Sequence, residues 1–594
     1  MIQRALATCL ACLLFTTTLQ AKPNVLIITV DDMSADSIGT YGCPIKNISP
    51  HMDGLVRSGL RFQYAHVQVG NCMPGRNVMW SGLYPHNNQV EGFYQVSQPK
   101  HKHLVDLMKQ AGYFTAIMGK TSHSTPYHPY PWDAIFDTAE DGSNYDKKKP
   151  LHFGEATARG IEAAADAEKP FCLMVNVSDP HKPFFSGQAD ENQPSMIVAP
   201  EEVPVPGFLF DDAVVRQELA LYYSSVSRAD DCVGAILKSL KKSGKEDETV
   251  VVFLSDHGMP LPFAKTQLYH HSTHTPLAIR WPGATKPDTI DKQHMVSAVD
   301  LTPTILEIVG ADSPKLDGRS FASVLRGKSQ ENREYVVKEY NENSGRSRDP
   351  IRAVQTKKYL YLANAWSNGT RVFATATTGT KTYRRMAALA ETDVYIAQRL
   401  AMYKHRVPEE FYDVEKDPDC LKNLIESPEY QKIIQQQRER LLQWMKQTDD
   451  HMLECFENFD DAKARESYVL TQEEEAASRK KQKPPQPKKQ RVFTIALPTP
   501  ITAATKVKYR VNYDLPKSLG MQGIAITLKQ GKNGERVERQ EGKIQGKGQL
   551  VVEFNIPSNP KGGHVSFATW VGSEFDKNIQ YYHTDAIPVK YLED

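Results

Sequence analysis

Two pairs of residues in the sequence carry the side chains of a metal site. Asp31 and Asp32 end the apolar stretch PNVLIITVDD, and Asp256 and His257 follow the apolar part of DETVVVFLSDHG. Hard divalent cations prefer several oxygen ligands, which the three aspartates supply, although an imidazole is softer than the ligands that Ca²⁺ prefers. The pattern predicts a divalent metal site at these four residues and leaves the metal open.

Three of four basic candidates follow predicted strands at the same edge as the carboxylates. Lys120 and His123 lie in MGKTSH, His181 lies in DPHKPF, and Lys265 lies in PFAKTQLY. An anionic substrate held between a metal ion and several cationic side chains suits phosphoryl or sulfuryl transfer, because catalysis there consists mainly of positioning and charge stabilisation. We therefore predict that these four residues bind and polarise such a group.

A cysteine is the third candidate for chemistry. The stretch VGNCMPGRNVMWSG places Cys72 two residues before Pro74 and four before Arg76, and it continues like the start of a helix. Two interpretations fit these residues. The cysteine is either a small buried hydrophobic side chain, as most free cysteines are, or a reactive residue in an electropositive environment.

Buried strands must position these residues. Residues 23–32, 169–181 and 247–258 contain apolar runs rich in β-branched side chains that end in polar residues, as fully buried parallel strands do. Residues 102–120 predict a helix followed by a strand, and residues 218–244 predict a helix. Strands that alternate with helices predict an α/β domain, in which ligands bind beyond the carboxyl ends of the strands.

The N-terminal segment and the cysteines indicate the compartment. Residues 1–21 contain one arginine, a short apolar run and a small residue at Ala21, which predicts a cleaved secretory signal and a periplasmic or secreted protein. No later segment is apolar enough to predict a membrane span. The six cysteines after residue 21 are too sparse for a disulfide scaffold.

Composition and patterning predict several domains. A chain of 594 residues is too long for one core, and 72 basic against 71 acidic residues give no indication of nucleic-acid binding. Short alternating strands near the C-terminus predict a β-sandwich. The predicted parts are a signal peptide at 1–21, a catalytic domain at 22–375, a smaller α+β subdomain at 376–470, a charged Pro-rich linker at 471–491 and an all-β sandwich at 492–594.

Together these motifs resemble those of type I sulfatases of the alkaline-phosphatase-like superfamily. The matching stretches are NVLIITVDD, CMPGR, GYFTAIMGK, SDPHKPF, VVVFLSDHG, TPLAIRWPG and EFYDVEKDPDCLKNL, from residue 24 to about residue 450. The resemblance implies a mixed, mostly parallel sheet sandwiched by helices. SDHGMPLPFAKTQLY is most similar to the heparan N-sulfatase (sulfamidase) branch, whereas His257 and the K-x-x-H spacing resemble the iduronate-sulfatase branch.

The resemblance implies a role for each candidate residue. In this family a dedicated enzyme oxidises the cysteine of C-x-P-S-R to formylglycine, and one hydroxyl of its hydrate attacks sulfur. By resemblance Cys72 is that residue, and Arg76 orients or stabilises it; Gly75 stands where serine is usual. The implied metal ligands are Asp31, Asp32, Cys72, Asp256 and His257. The implied sulfate-contacting and proton-transferring residues are Lys120, His123, His181 and Lys265.

The resemblance also implies a substrate class. We expect a sulfohydrolase acting on glucosamine N-sulfate or a related O-sulfated sugar of a glycan, with Ca²⁺ expected before Mg²⁺. His270, His271 and His274 follow Lys265 and could face the sugar or only pack within their loop. Two alternatives remain: a phosphate or phosphonate monoester hydrolase of the same superfamily, and an inactive secreted glycan-binding protein, suggested by Gly75 and the added β domain.

Overall fold

The computed structural model describes residues 22–139, 144–343, 348–481, 492–498, 500–531, 534–572, 578–584 and 586–591. The predicted signal peptide at 1–21 lies outside these residues. The chain forms two compact units, divided between Ala476 and Ala477. Within the described ranges, no helix is long and apolar enough to cross a membrane.

A mixed sheet of eight strands forms the centre of the first unit. Its strands are β1 (Asn24–Val30), β2 (Leu60–His66), β3 (Phe114–Met118), β4 (Ala134–Ile135), β5 (Phe171–Val177), β6 (Thr249–Ser255), β7 (Leu277–Arg280) and β8 (Thr289–Ser297). Their order is β4-β3-β5-β1-β6-β7-β2-β8. β7 is antiparallel to both neighbours and the other pairs are parallel, which confirms the predicted mostly parallel sheet.

Helices cover both faces of this sheet. Successive residues of β1 point to opposite faces, so Leu26 and Ile28 pack into one hydrophobic core and Val25 and Ile27 into the other. The helices up to residue 325 are α1 (Pro50–Arg57), α2 (Cys72–Ser81), α3 (Pro85–Asn88), α4 (Leu104–Gln110), α5 (Thr121–Ser124), α6 (Pro150–Asp166), α7 (Ala213–Lys242), α8 (His270–Thr273), α9 (Leu301–Ile308) and α10 (Ala322–Leu325). The helices predicted within 102–120 and 218–244 are confirmed as α4 and α7.

A second, antiparallel sheet completes the first unit. Its strands are β9 (Tyr335–Glu342), β10 (Arg348–Thr356), β11 (Tyr359–Asn364) and β12 (Glu409–Asp413), in the order β12-β11-β10-β9. The helices that follow β11 are α11 (Lys381–Leu389), α12 (Val394–His405), α13 (Gln431–Thr448), α14 (Leu453–Glu457) and α15 (Ala462–Lys481). The strands of this sheet come from both sides of position 375, where the sequence analysis placed a domain boundary.

The predicted linker overlaps a helix. α15 extends to Lys481, so residues 471–481 of the expected linker at 471–491 are helical, and residues 482–491 lie outside the described ranges. The sequence TQEEEAASRKK is rich in Glu, Ala and Lys, which are strong helix formers. The charged, Pro-rich composition therefore placed the start of the linker before the end of this helix.

The second unit is the predicted β-sandwich. One sheet has the order β13-β15-β18, and the other has the order β14-β21-β19-β16-β17 with β20 beside β19. Tyr509 and Phe554 of the first sheet pack against Phe567 of the second, with ring centroids 4.9 and 5.4 Å apart. The strands are β13 (Phe493–Ala496), β14 (Ile501–Thr502), β15 (Lys506–Asp514), β16 (Gln522–Gln530), β17 (Glu535–Ile544), β18 (Lys547–Asn555), β19 (His564–Gly572), β20 (Asn578–His583) and β21 (Ile587–Lys590).

Candidate functional site

The carboxyl ends of adjacent strands bring the acidic residues together. β1 lies between β5 and β6 and is parallel to both. Asp31 and Asp32 follow β1, and Asp256 and His257 follow β6. The amide of Asp32 donates to Asp256 Oδ1 at 3.0 Å. All four side chains are buried, so the strand ends form one enclosed acidic cluster.

Two lysines neutralise the carboxylates that follow β1. Lys120 Nζ lies 2.5 Å from Asp31 Oδ2, and Lys265 Nζ lies 2.7 Å from both carboxylate oxygens of Asp32. Burial raises the pKa of each aspartate, but Lys120 and Arg76 hold the pKa of Asp31, and Lys265 that of Asp32, well below the usual range. Both carboxylates are therefore ionised at neutral pH.

Cys72 begins helix α2 beside this cluster. The side chain of Asn71 caps the helix by accepting from the Cys72 amide at 3.2 Å. Cys72 Sγ lies 3.2 Å from His257 Nε2 and 3.8 Å from both Asp32 Oδ1 and Lys265 Nζ. The first turn of a helix favours negative charge. Although Cys72 is buried, these neighbours are polar, which supports the reactive interpretation over the hydrophobic one.

Gly75 lies where α2 approaches the preceding segment closely. A Cβ atom at this position would come within 3.1 Å of the Val69 carbonyl oxygen and 3.7 Å of that of Asp256. The distance to Asp256 is an ordinary van der Waals contact, but that to Val69 is short, so a serine here would require the Val69 backbone to move by a few tenths of an ångström. The departure from the C-x-P-S-R pattern thus has a packing explanation in this chain.

Arg76 connects the acidic residues of the cluster. Its fully buried guanidinium lies 3.0 Å from Asp31 Oδ1 and 3.1 Å from Asp256 Oδ2, and it also donates to Asn176 Oδ1 at 2.7 Å and Thr29 Oγ1 at 3.0 Å. Burial would lower the pKa of Arg76, but Asp256 and Asp31 raise it. Arg76 is therefore a fixed positive charge that holds the strand ends in place.

The donor set fits a divalent cation. The nearest ligand atoms of Asp32, Cys72, Asp256 and His257 all lie within 4.8 Å of one another, and those of Asp31, Asp32, Cys72 and His181 form an overlapping group. His257 Nδ1 donates to the Gly258 carbonyl at 2.9 Å, which leaves Nε2 facing the carboxylates. Burial lowers the pKa of His257, but Asp256, Cys72 and Asp32 raise it well above its usual value. The negative groups around His257 therefore favour a positive charge in the cluster.

The two candidate histidines have different surroundings. His181 Nε2 lies 3.9 Å from Asp32 Oδ2, its Nδ1 donates to the Lys182 carbonyl at 2.6 Å, and its side chain is 36% exposed. His123 packs edge-on against Phe93, with ring centroids 5.6 Å apart. Burial and the charge of Lys120 lower the pKa of His123 to about 3. Both lie beside the cluster, and both are partly exposed to solvent.

A network that the sequence analysis did not identify fixes the loop after β5. Arg228 Nε donates to Asp179 Oδ2 at 2.7 Å, and Lys148 Nζ donates to Asp179 and, at 2.8 Å, to the His181 carbonyl. Arg228 lies inside the long helix α7, where nothing in its spacing distinguishes it from a surface arginine. Among the residues that the sequence analysis missed, Asn176 was the easiest to identify, because it is a polar residue inside a buried strand.

The three histidines after Lys265 have protein partners. His270 accepts from Gln355 Nε2 at 2.8 Å, His274 donates to the Gln63 carbonyl at 3.0 Å, and His271 lies 3.3 Å from Asp419 and 3.5 Å from Asp36. These contacts support the packing alternative rather than the prediction that His270, His271 and His274 face the sugar. The direction of α8 gives the physical reason: it turns the histidines toward β2, β10 and residues 36 and 419.

A buried lysine lies in the same histidine cluster and gives a pH-dependent prediction. Lys338 Nζ donates to Gln355 and to the Leu268 carbonyl, and burial lowers its pKa to about 7 from 10.5. Between those values the unfolded chain binds the extra proton, so the stability contribution falls as pH decreases from 10.5 to 7. We expect Lys338→Met to unfold at a higher urea concentration than wild type at pH 7. The gain in the free energy of unfolding should be a few kcal/mol, because one pKa unit corresponds to about 1.4 kcal/mol. Near pH 10 the two proteins should differ little.

The exposed residue Lys357 supplies the control. Its Nζ donates to the Lys292 carbonyl at the surface, so Lys357→Met should leave the urea midpoint close to wild type at both pH values. Buried tyrosines and cysteines also titrate at high pH, but they are common to all three proteins and cancel in the difference. A Lys338→Met variant that keeps the wild-type midpoint at pH 7 would contradict the expected cost of burying this charge.

A second group of potential ligands is a structural network. Glu91, Glu339 and His451 could share an ion by distance. However, Glu91 Oε2 lies 2.8 Å from Arg348, and Glu339 Oε2 lies 2.7 Å from His86. This group offers two carboxylates rather than the three of the cluster around Cys72, and both pair with cations of the protein, so we assign no metal to it.

The fold and the site together define the alkaline-phosphatase-like class of hydrolases, and the sequence comparisons specify the family. Residues 23–311 match the Sulfatase family model, and residues 256–368 match the model of the N-sulphoglucosamine sulphohydrolase C-terminal region. Together these matches cover residues 23–368, and the chain contains a Sulfatase family domain.

Curated relatives agree with this assignment. The N-sulphoglucosamine sulphohydrolase of Homo sapiens is 29% identical over 487 residues, covering 74% of this chain and 94% of the human protein. An ulvan-active sulfatase of Formosa agariphila is 26% identical over 441 residues, covering 73% of this chain and 82% of the relative. The relatives thus include one enzyme named for N-sulphoglucosamine and one named for ulvan.

Solved structures share the fold. A putative sulfatase from Bacteroides thetaiotaomicron superposes with a TM-score of 0.55 at 21% identity, covering 75% of this chain and 96% of that one. The phosphonate monoester hydrolase of Agrobacterium radiobacter superposes with a TM-score of 0.54 at 17% identity, covering 72% and 96%. At these identities the superpositions establish the fold alone.

Proposed function

We propose that the protein is a secreted or periplasmic sulfatase that removes sulfate from a sulfated glycan. The observation that carries the proposal is the position of Cys72, whose Sγ lies 3.2 Å from His257 Nε2 at the start of α2. The human and Formosa relatives support a sulfated sugar as substrate, with N-sulfoglucosamine and O-sulfated sugars as the first candidates. The predicted signal at 1–21 supports export.

The basic residues would bind the sulfate group. Lys120 and Lys265 contact the aspartates of the cluster, and the side chain of His181 beside them is partly exposed to solvent. Positive side chains around a transferred anionic group stabilise the charge that develops on its oxygens. Because both lysines already hold aspartates in place, they would present fixed rather than mobile charges to the substrate.

Two groups would complete the site. A divalent cation, with Ca²⁺ proposed before Mg²⁺, would be held by Asp31, Asp32, Asp256 and His257 and would supply Lewis-acid polarisation of the sulfate. Formylglycine at position 72, made by a formylglycine-generating enzyme, would supply the attacking hydroxyl. Asn71 and the first turn of α2 hold that position, and Arg76 holds two of the carboxylates around it.

A proton must reach the leaving oxygen or nitrogen as its bond to sulfur breaks. We assign this proton to His181, because its side chain is 36% exposed and lies 3.9 Å from Asp32. His123 is less suited, because burial and Lys120 lower its pKa to about 3 and keep it neutral near pH 7. His123 would instead act as a neutral hydrogen-bonding partner at the edge of the sulfate site.

The first test is the mass of the tryptic peptide Phe62–Arg76, from protein isolated from its native host. We expect an aldehyde in place of the Cys72 thiol. The same protein is then assayed on N-sulfated glucosamine, O-sulfated sugars, ulvan oligosaccharides, a phosphate monoester and a phosphonate monoester. We expect the sulfated sugars to be preferred, with activity lost on chelation and restored by Ca²⁺ better than by Mg²⁺.

The alternatives give different results in the same experiment. Preference for the phosphate or phosphonate ester would replace the sulfatase by the monoester hydrolase that shares its fold. An unmodified thiol with no turnover, together with retained glycan binding, would favour the inactive binding protein. Cell fractionation tests the compartment, because a cytoplasmic protein would contradict the proposed export.

A further inference from the structure

Asn77 links the helix that carries Cys72 to the turn that carries His123. Its side chain is fully buried. Its Nδ2 donates to the Met73 carbonyl at 2.7 Å and to the His123 carbonyl at 2.8 Å, and its Oδ1 lies 3.0 Å from His103 Nε2. One side chain thus joins α2, α5 and the residue that precedes α4.

The chemistry of the neighbours fixes the orientation of this carboxamide. The carbonyls of Met73 and His123 can only accept, so both must face the amide nitrogen of Asn77. The carboxamide oxygen can only accept, so His103 Nε2 must carry a proton and donate. No acid can replace the asparagine here, because a carboxylate would place an oxygen against two carbonyl oxygens.

The turn that Asn77 holds has few bonds of its own. α5 contains only four residues, Thr121–Ser124, and the carbonyls at the end of a helix have no partner within it. Asn77 supplies that partner to His123. The turn follows Lys120, whose φ of 53° lies in the strained left-handed region, so the segment depends on surrounding contacts to keep its conformation.

We propose that Asn77 is a positioning residue, which sets the place of His123 relative to the helix of Cys72. This inference rests on the proposed sulfatase function, because it assigns Asn77 a role through residues of that site. Asn77 lies five positions after Cys72, and its side chain bonds to Met73, His123 and His103 rather than to Cys72. Its effect on turnover would pass through the α2–α5 connection.

The test compares Asn77→Ala with a matched asparagine elsewhere. Asn364 is equally buried, and its Nδ2 donates to the Val407 carbonyl and to Glu410, each at 2.7 Å. Asn77→Ala and Asn364→Ala should both lower the melting temperature. Only Asn77→Ala should lower kcat/KM for the sulfated sugar, by about 10²-fold, because misplacement of a catalytic group by 1 Å can cost that much.

A double-mutant cycle separates positioning from general destabilisation. In a His123→Ala background, Asn77→Ala should cause a further loss much smaller than the loss in wild type. Equal losses in both backgrounds, or wild-type kcat/KM in Asn77→Ala, would overturn the proposal. A crystal structure of Asn77→Ala gives an answer that does not depend on turnover, so it distinguishes failure of this inference from failure of the sulfatase function. We expect His123 to move relative to Cys72, and an unmoved turn would refute the inference.

Discussion

Replacing Cys72 by alanine is expected to abolish turnover while leaving the fold intact. The side chain lies within 3.8 Å of His257, Asp32 and Lys265, so alanine removes the attacking group without disturbing the charges around it. Removal of a nucleophile can cost up to about 10⁶ in kcat, and we expect a loss of about 10⁴-fold or more. Initial rates on the preferred sulfated sugar, measured beside a thermal unfolding curve, test both parts.

Cys455→Ala supplies the matched control for this experiment. Cys455 is also a buried, free cysteine, but it belongs to α14 of the smaller sheet region. Its substitution should give a similar, small change in melting temperature and wild-type rates. Full sulfatase activity in Cys72→Ala would show that the mechanism proposed for this site is wrong.

The strands that carry the site could be predicted because their burial is complete. The runs 24–30, 171–177 and 249–255 are buried along their whole length, and such strands appear in sequence as unbroken apolar stretches. Their polar ends were equally visible. The antiparallel direction of β7 was not visible, because a short buried run such as Leu277–Arg280 does not show which way its strand runs.

The environment of the histidines after Lys265 could not be read from the sequence. Their closeness to Lys265 in the chain suggested a shared site. However, Phe263 and Thr266, on either side of Lys265, have φ of 67° and 66°. Such left-handed conformations are uncommon for residues other than glycine, and they redirect the chain so that Lys265 and His270 point to different neighbours. Neither residue type predicts a left-handed backbone conformation at these two positions.

The positioning residues were hidden for a different reason. Asn77 and Arg228 lie inside helices, where a polar side chain ordinarily faces solvent. Their roles depend on which carbonyl or carboxylate another element brings against them, and that information exists only in the packed structure. The residues of the acidic cluster could be predicted because they follow strands, whereas Asn77 and Arg228 could be identified only from the packed structure.

Arg76→Met is expected to be the most destabilising single substitution among those considered. It leaves the buried carboxylates of Asp31 and Asp256 without the guanidinium that lies 3.0 and 3.1 Å from them. Removing one partner of a buried ion pair typically costs about 3–5 kcal/mol. Arg76→Lys should recover little of this, because an ammonium group cannot reproduce a planar fork that contacts four side chains. Both variants should also lose turnover.

Urea unfolding in the presence of a chelator measures this effect without the compensation that a bound cation would provide. Arg326→Ala is the control, because Arg326 and Glu307 form a surface pair with side chains 39% and 46% exposed, and such pairs contribute less than about 1 kcal/mol. Adding Asp256→Asn to Arg76→Met should restore part of the lost stability, since it removes the charge of Asp256, whereas Asp31 keeps Lys120 as a partner. An Arg76→Met variant with the wild-type urea midpoint would contradict the expected cost of leaving these buried carboxylates without the guanidinium.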